Sequence, residues 1–198
     1  MKGRGAGLPS RSSIRGRQLP GVLPADERYV MVSGIPVSAS TVKKPTMPAP
    51  PRIKPRSLAD YLDALTKPVF QAGISWRVVD AKWPSMREAF HDFDPDWVAG
   101  LSTRQVDRLV KDPRVIRNRR KIEATVTNAH TMLELDGSHR GFRRYLRSFP
   151  DYDALSADLR RQFRFVGEHG AYSFLWTVSE PVPSYEEWAS TRSTKTTG

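Results

Sequence analysis

Apolar residues along this chain recur at the three- and four-residue spacing of amphipathic helices, and this pattern starts near residue 57. The two clearest apolar faces are Val106, Leu109 and Val110, and then Ile122, Val126, Ala129 and Leu133. The alternation typical of strands is weak everywhere, although residues 29–32 could form a short strand or none. The pattern therefore predicts an all-α domain of seven to nine helices.

Capping residues and breakers divide this helical region into segments. Ser57 is a candidate N-cap for the first helix, and Pro68 either interrupts that helix or starts the next segment. The other segments predicted are 69–80, 85–90, 96–100, 102–111, 118–135, 141–149, 156–162, 166–178 and a terminal turn after Ser184. We expect breaks at residues 83–84 and a turn at residues 136–138.

The centre of the pattern is a helix, a tight hairpin and a second helix over residues 102–135. Ser102 and Gln105 have capping-box spacing at the first helix, and Asp112-Pro113 ends it. The hairpin then covers residues 114–117, and the second helix begins near Asn118.

Positive charge is concentrated on this helix-hairpin-helix unit. Residues 104–121 hold eight Lys and Arg side chains against two Asp. Cations around an exposed helix N-terminus suit a phosphate group, because free N–H groups and the helix dipole both attract an anion. The unit can therefore bind a nucleic-acid backbone, and the alternative is a solvated basic face.

The bulk of the net charge of +11 lies elsewhere, in residues 1–56. Those residues are rich in glycine and proline, and we predict a disordered basic tail and linker that adds salt-sensitive affinity for nucleic acid. We place a helical domain at residues 57–190 and a disordered C-terminus at 191–198. The chain has no cysteine, which excludes disulfides and thiolate zinc sites, and no apolar run approaches the ~20 residues of a membrane span.

Four sequence blocks carry a family resemblance: QAGISW at 71–76, FHDFDP at 90–95, DRLVKDPRVIRNRRKIEATVTNA at 107–129, and FRFVGEHGAYSF at 163–174. Their order and separation resemble those of the DNA-3-methyladenine glycosylase I family over roughly residues 58–178. The resemblance implies an all-α helix-hairpin-helix glycosylase fold. It also implies hydrolysis of the N-glycosidic bond of an alkylated purine, without a lyase step.

Two features of the family are missing from this sequence. The resemblance implies a base-contacting glutamate three residues before Gln71, but that position is Pro68. The family's N-terminal block of tyrosines and zinc ligands, and its C-terminal His/Cys pair, are not recognisable here. We therefore expect no metal and no cofactor.

The resemblance also implies the base-binding residues. Trp76 matches the family's pocket tryptophan, and Tyr172 matches its C-terminal YSF position. We assign Gln71 and Ser75 of the first block to the same set. Trp76 can stack on an extruded base, especially a cationic alkylated one, and its alternative role is core packing.

An N-glycosidic bond breaks through a sugar cation, which a carboxylate can stabilise. With proline at position 68, we predict that Glu168 and His169 serve as catalytic or base-contacting groups, and their alternatives are an ordinary helix-start carboxylate and a structural histidine. Asp136 and Asp80 are weaker candidates.

The predicted DNA contacts lie on the hairpin and the start of the second helix: Arg114, Arg117, Asn118, Arg119 and Lys121. We predict a DNA glycosylase of base-excision repair that binds double-stranded DNA as a monomer, without membrane association, in the cytoplasm at the nucleoid. The alternatives are a catalytically inactive DNA-binding relative and a module that does not bind nucleic acid.

Overall fold

The structure is a computed structural model that describes residues 29–32, 35–38 and 50–193 of the chain. The chain forms two compact units, Met1–Thr46 and Met47–Gly198. The first unit contains two antiparallel strands, β1 (Tyr29–Val32) and β2 (Ile35–Ser38), with Tyr29 opposite Ser38. The short strand allowed by the sequence at 29–32 is therefore present. The rest of the predicted disordered tail up to residue 49, and residues 194–198, lie outside the described residues.

The described part of the second unit is helical, which confirms the all-α prediction for this domain. It holds one 3-10 turn (His91–Phe93) and nine α-helices: α1 (Leu58–Gln71), α2 (Trp76–Ala89), α3 (Pro95–Ala99), α4 (Thr103–Lys111), α5 (Arg119–His139), α6 (Phe142–Leu146), α7 (Tyr152–Gln162), α8 (Glu168–Thr177) and α9 (Tyr185–Ser193). None of the helices in the described ranges is long and apolar enough to cross a bilayer.

Side-chain caps fix the helix starts that the sequence predicted. The Ser102 backbone N–H and hydroxyl both donate to the Gln105 side chain, at 2.9 and 2.7 Å, before α4. Asp94 accepts a 3.1 Å hydrogen bond from the Trp97 backbone N–H and so opens α3. These bonds satisfy backbone donors that have no partner inside a helix, which is why such residues mark helix starts.

Three predictions in this region are wrong: the break at Pro68, the break at residues 83–84 and the helix over 69–80. Helix α1 continues through Pro68 to Gln71, and α2 continues through Pro84 to Ala89. Between them, residues 72–75 form a turn in which Gly73 has φ +76°, a conformation that glycine adopts without strain. Leu65 and Val69, on either side of Pro68, are buried, and this packing holds the helix together despite the missing N–H.

Two predictions around residue 140 also need correction. Helix α5 continues through the predicted turn at Asp136 and ends at His139, and Arg140 follows it as a left-handed C-cap at φ +56°. The Asp136 carboxylate accepts a 2.7 Å bond from the Phe142 backbone N–H, so it starts α6 rather than a loop. The helix predicted over 141–149 is shorter than expected and covers only α6 (Phe142–Leu146). Phe149 precedes a proline and is therefore disfavoured in a helix.

An extended segment of residues 50–56, which we call the strap, lies along the end of α8. The Trp176 indole N–H donates to the Pro50 carbonyl at 2.9 Å, and the Ile53 N–H donates to the Thr177 carbonyl at 2.7 Å. The Ser179 hydroxyl donates to the Ile53 carbonyl at 2.8 Å. The strap therefore belongs to the helical unit, and it covers one side of the α1–α2 pair.

Candidate functional site

A cavity of about 540 Å³ lies between α1, α2, the strap and α8. Helix α1 lines it with residues one turn apart, such as Asp60, Asp63, Lys67 and Gln71. Helix α2 lines it with Trp76, Asp80, Trp83 and Arg87. These spacings place each set on one face of its helix, so the cavity is a groove between two helical faces.

Contacts across the groove show that α1 and α2 run antiparallel. Nearest the turn, Gln71 and Trp76 line the groove together. One step further, Lys67 forms a 2.8 Å ion pair with Asp80. At the next step, the Trp83 indole N–H donates to Asp63 at 2.6 Å. The register thus places Asp80 nearer than Asp63 to the end of the groove that holds Trp76.

Trp76 is the first residue of α2 and is half-buried. The Arg77 guanidinium lies over the Trp76 ring, 5.4 Å from its centroid, and Trp76 lines the cavity whereas Arg77 does not. Ser75 precedes it as the N-cap, but its side chain makes no capping bond and does not line the cavity. The structure therefore brings Trp76 and Gln71 together and leaves Ser75 outside.

Asp63 is the most enclosed carboxylate of the groove, and it was not among the candidates predicted from the sequence. Burial raises its pKa above 3.8, while the hydrogen bond from Trp83 and the nearby positive charge of Arg87 act in the opposite direction. The Arg87 guanidinium donates to Asp63 at 3.0 Å. Two donors thus hold this carboxylate in a fixed orientation against the cavity wall.

The three predicted site residues of α8 lie away from this groove. Glu168 forms a 2.9 Å ion pair with Arg160 and lines a separate cavity between α7 and α9. The His169 ring packs edge-on against Trp188, with centroids 5.8 Å apart. The Tyr172 hydroxyl donates to the Pro183 carbonyl at 3.1 Å, and burial raises its pKa. None of the three lines the cavity beside Trp76.

The hairpin between α4 and α5 presents exposed arginines. Arg114, Arg117 and Arg119 are all exposed. Arg114 pairs with Asp112 at 2.7 Å, and its hydrogen bonds lower the pKa of that carboxyl. Arg119 pairs with Asp107 and, at 3.3 Å, with Glu123. These pairs orient guanidinium groups at the surface without burying them.

Asn118 caps the N-terminus of α5, where its side chain accepts a 3.2 Å bond from the Lys121 N–H. The positive end of the α5 dipole is therefore at the same surface as the hairpin arginines. This arrangement offers donors and positive charge of the kind that a phosphate group would need, and phosphate binding stays a prediction.

The prediction that Lys121 contacts DNA needs correction. Lys121 is only 5% exposed. Its ammonium group donates to the Phe70 carbonyl at 3.0 Å and to the Ala72 carbonyl. Burial lowers its pKa. The ammonium thus bonds the carbonyls at the end of α1 and cannot reach a phosphate on the surface.

The described residues do not bring together the side chains that a metal site needs. Within residues 50–193, no group of three or more His, Asp or Glu side chains is placed to hold a metal ion. Because the chain also lacks cysteine, its residues do not fit the zinc site implied by the family resemblance.

Comparison with known proteins identifies similar sequences. The family model described as "Methyladenine glycosylase" matches residues 59–158. The chain is 35% identical to DNA-3-methyladenine glycosylase 1 of Escherichia coli K12, over 53% of this chain and 67% of that protein. It is 31% identical to the DNA-3-methyladenine glycosylase of Haemophilus influenzae, over 54% of this chain and 70% of that protein.

Solved structures show the same fold. A crystal structure of 3-methyladenine DNA glycosylase I aligns with a TM-score of 0.56 at 28% identity, covering 64% of this chain and 81% of that one. The Staphylococcus aureus enzyme, in a study of 3-methyladenine recognition, aligns with a TM-score of 0.57 at 26% identity, covering 64% and 78%. The similarity therefore extends over most of the helical unit.

Proposed function

Since the chain belongs to the methyladenine glycosylase family, we propose that it is a base-excision repair glycosylase. Its reaction would be hydrolysis of the N-glycosidic bond of an alkylated purine, such as 3-methyladenine, in double-stranded DNA. The observation that carries the proposal is the placement of Trp76 in a cavity of about 540 Å³. That volume lies in the range of sites that enclose small molecules.

The base would reach this cavity by flipping out of the duplex, which costs a few kcal/mol. Stacking on an aromatic ring returns ~1–3 kcal/mol per base. Trp76 offers such a ring at the mouth of the groove, and Gln71 beside it offers an amide that can both donate and accept hydrogen bonds. A positively charged base gains further from the electron-rich face of the indole and from the carboxylates of the groove.

Cleavage of the N-glycosidic bond of such a base needs little proton transfer to the leaving group. An N3-alkylated adenine carries a positive charge while it is attached to the sugar. When the bond between C1′ and the ring nitrogen breaks, its electron pair stays on the base, which leaves as a neutral purine. Water adds to C1′ and releases a proton to solvent, which gives an abasic site. The protein therefore has mainly to position the base and stabilise positive charge.

The hairpin supplies the backbone contacts of the proposed complex. Arg114, Arg117 and Arg119, with the N-terminus of α5 behind Asn118, would bind phosphates beside the flipped nucleotide. Lys121 links this surface to the base cavity, because it begins in the first turn of α5 and ends at the α1 carbonyls that precede Trp76. We propose that the protein acts as a monomer, in the cytoplasm at the nucleoid.

The catalytic roles of Glu168 and His169 stay predictions. Neither residue lines the cavity that holds Trp76. Pro68 in the wall of that cavity favours one alternative function, a catalytically inactive relative that binds DNA. Such a protein would bind duplex DNA in a salt-dependent manner and release no base.

Incubation of the full chain with duplex DNA treated with a methylating agent tests the proposal. Mass spectrometry would identify the released bases, and the same DNA without protein would control for spontaneous loss. Release of a methylated purine above that control, with matching abasic sites, is expected. DNA binding without release would instead support the inactive relative.

A further inference from the structure

The carboxylate that the family resemblance implies at position 68 is absent, but a different carboxylate lines the same part of the groove. Pro68 lines the cavity from α1. Its neighbour Lys67 reaches across to Asp80 on α2, at 2.8 Å. Asp80 therefore stands opposite the position of the missing acid.

Asp80 is also next to the indole. It follows Trp76 by four residues, so the two side chains lie one helical turn apart on the same face of α2. Both line the cavity. A base stacked on Trp76 would therefore have the Asp80 carboxylate as a close neighbour.

The other two carboxylates of the groove are already engaged. Asp60 accepts bonds from the Arg56 N–H at 2.7 Å and the Ser57 N–H at 3.2 Å, as part of the α1 cap. Asp63 accepts from Trp83 and Arg87, and its side chain is 18% exposed. The Asp80 side chain is 41% exposed, and its ion pair is with a lysine that is itself 32% exposed.

We propose that Asp80 supplies the negative charge that faces the positively charged nucleotide in the cavity, and that Lys67 is the counterion it exchanges for that nucleotide. Solvent-exposed ion pairs are weak, so a cation stacked on Trp76 can replace Lys67 at small cost. The carboxylate forms no bond to the substrate. Its charge stabilises the cation as the C1′–N bond breaks and the positive charge moves from base to sugar.

This inference rests on the proposed function, but its test does not need turnover. Two duplexes carry abasic analogues: a pyrrolidine, which is protonated like the sugar cation, and a neutral tetrahydrofuran. Wild type should bind the pyrrolidine duplex at least about tenfold more tightly, and Asp80→Asn should lose that preference while keeping its affinity for the neutral duplex. Asp80→Glu should keep part of it.

The matched control is Glu88→Gln, which removes an exposed carboxylate of α2 that does not line the cavity, and this variant should keep the wild-type preference. Thermal melting of each variant shows whether it is folded. The inference would be overturned if folded Asp80→Asn kept the preference for the pyrrolidine duplex, or if wild type showed no such preference. A wild type that prefers the pyrrolidine but releases no methylated base would overturn the proposed function alone.

Discussion

The ammonium group of Lys121 donates a hydrogen bond of 3.0 Å to the carbonyl oxygen of Phe70. This bond joins the first turn of α5, beside the hairpin, to the last turn of α1. A second bond from the same ammonium reaches the carbonyl of Ala72, in the turn that leads to Trp76. One buried side chain thus connects the basic surface to the turn before Trp76, which lines the cavity.

Replacement of Lys121 by methionine keeps most of the side-chain volume and removes the ammonium. The Phe70 carbonyl would then lack its donor in a buried site, which costs about 1–3 kcal/mol, whereas the carbonyl of the exposed residue Ala72 can bond water instead. We expect Lys121→Met to lower the free energy of unfolding by about 1–3 kcal/mol, measured by urea denaturation. A variant as stable as wild type would show that the ammonium is not structurally required.

Arg117 provides the opposite case, because it is exposed on the same unit. Arg117→Met should change stability by less than about 0.5 kcal/mol, as surface substitutions usually do. If Arg117 contacts a phosphate, its loss should weaken duplex binding and reduce the slope of log K against log salt by about 0.9. Binding titrations at several salt concentrations measure this slope. An unchanged slope would exclude Arg117 from the DNA interface.

The strap should stabilise the helical unit and complete the cavity wall. A chain that begins at Pro50 keeps every strap contact with Trp176, Thr177 and Ser179, whereas one that begins at Ser57 loses them. The shorter chain also loses the Arg56 N–H bond to Asp60 and the 3.5 Å bond from Arg52 to the Glu180 carbonyl. With five hydrogen bonds lost at ~1 kcal/mol or less each, we expect it to be less stable by about 3–5 kcal/mol. Denaturation of the two chains side by side measures the difference, and equal stability would contradict a structural role of the strap.

Asp63 should make stability depend on pH in a definite direction. Its folded pKa is raised by burial above the ordinary value of 3.8, so between those two values the native state binds more protons than the unfolded chain. The contribution of Asp63 is therefore fully present below 3.8 and is lost as pH rises through the raised pKa.

The variant Asp63→Asn removes this titration and keeps an oxygen that can accept from Trp83. The free energy of unfolding of wild type minus that of the variant should fall as pH rises from below 3.8 toward neutrality, when both are measured by urea denaturation. A difference that rises over that range would show that its ion pair with Arg87 outweighs burial.

Local signals explain which parts of the fold the sequence could predict. Ser102 and Gln105 form a cap within a few residues, so the start of α4 was read correctly. Pro68 and Pro84 were read as breaks because proline is a poor helix residue. In the structure both prolines lie inside helices, which tertiary packing stabilises, and no local sequence pattern encodes that packing.

The site needed information that the sequence pattern does not hold. The place of Asp63 and Asp80 in the cavity depends on the register between α1 and α2, which the turn at residues 72–75 sets. The buried state of Lys121 had no signal in the sequence, because the stripe that it forms with Thr125 and Asn128 on α5 is polar and is typical of a solvated helix face, whereas all three residues are buried.

We propose above that the cavity beside Trp76 receives a base extruded from DNA. The most direct measurement is the single-turnover rate of methylated-base release by Trp76→Ala, with Val78→Ala as control, because Val78 lies on the same helix, is 55% exposed and does not line the cavity. Loss of the stacking ring should slow release roughly 10- to 100-fold and leave binding to undamaged duplex unchanged. The control should release base at the wild-type rate. Release by Trp76→Ala at the wild-type rate would show that the Trp76 ring does not hold the extruded base.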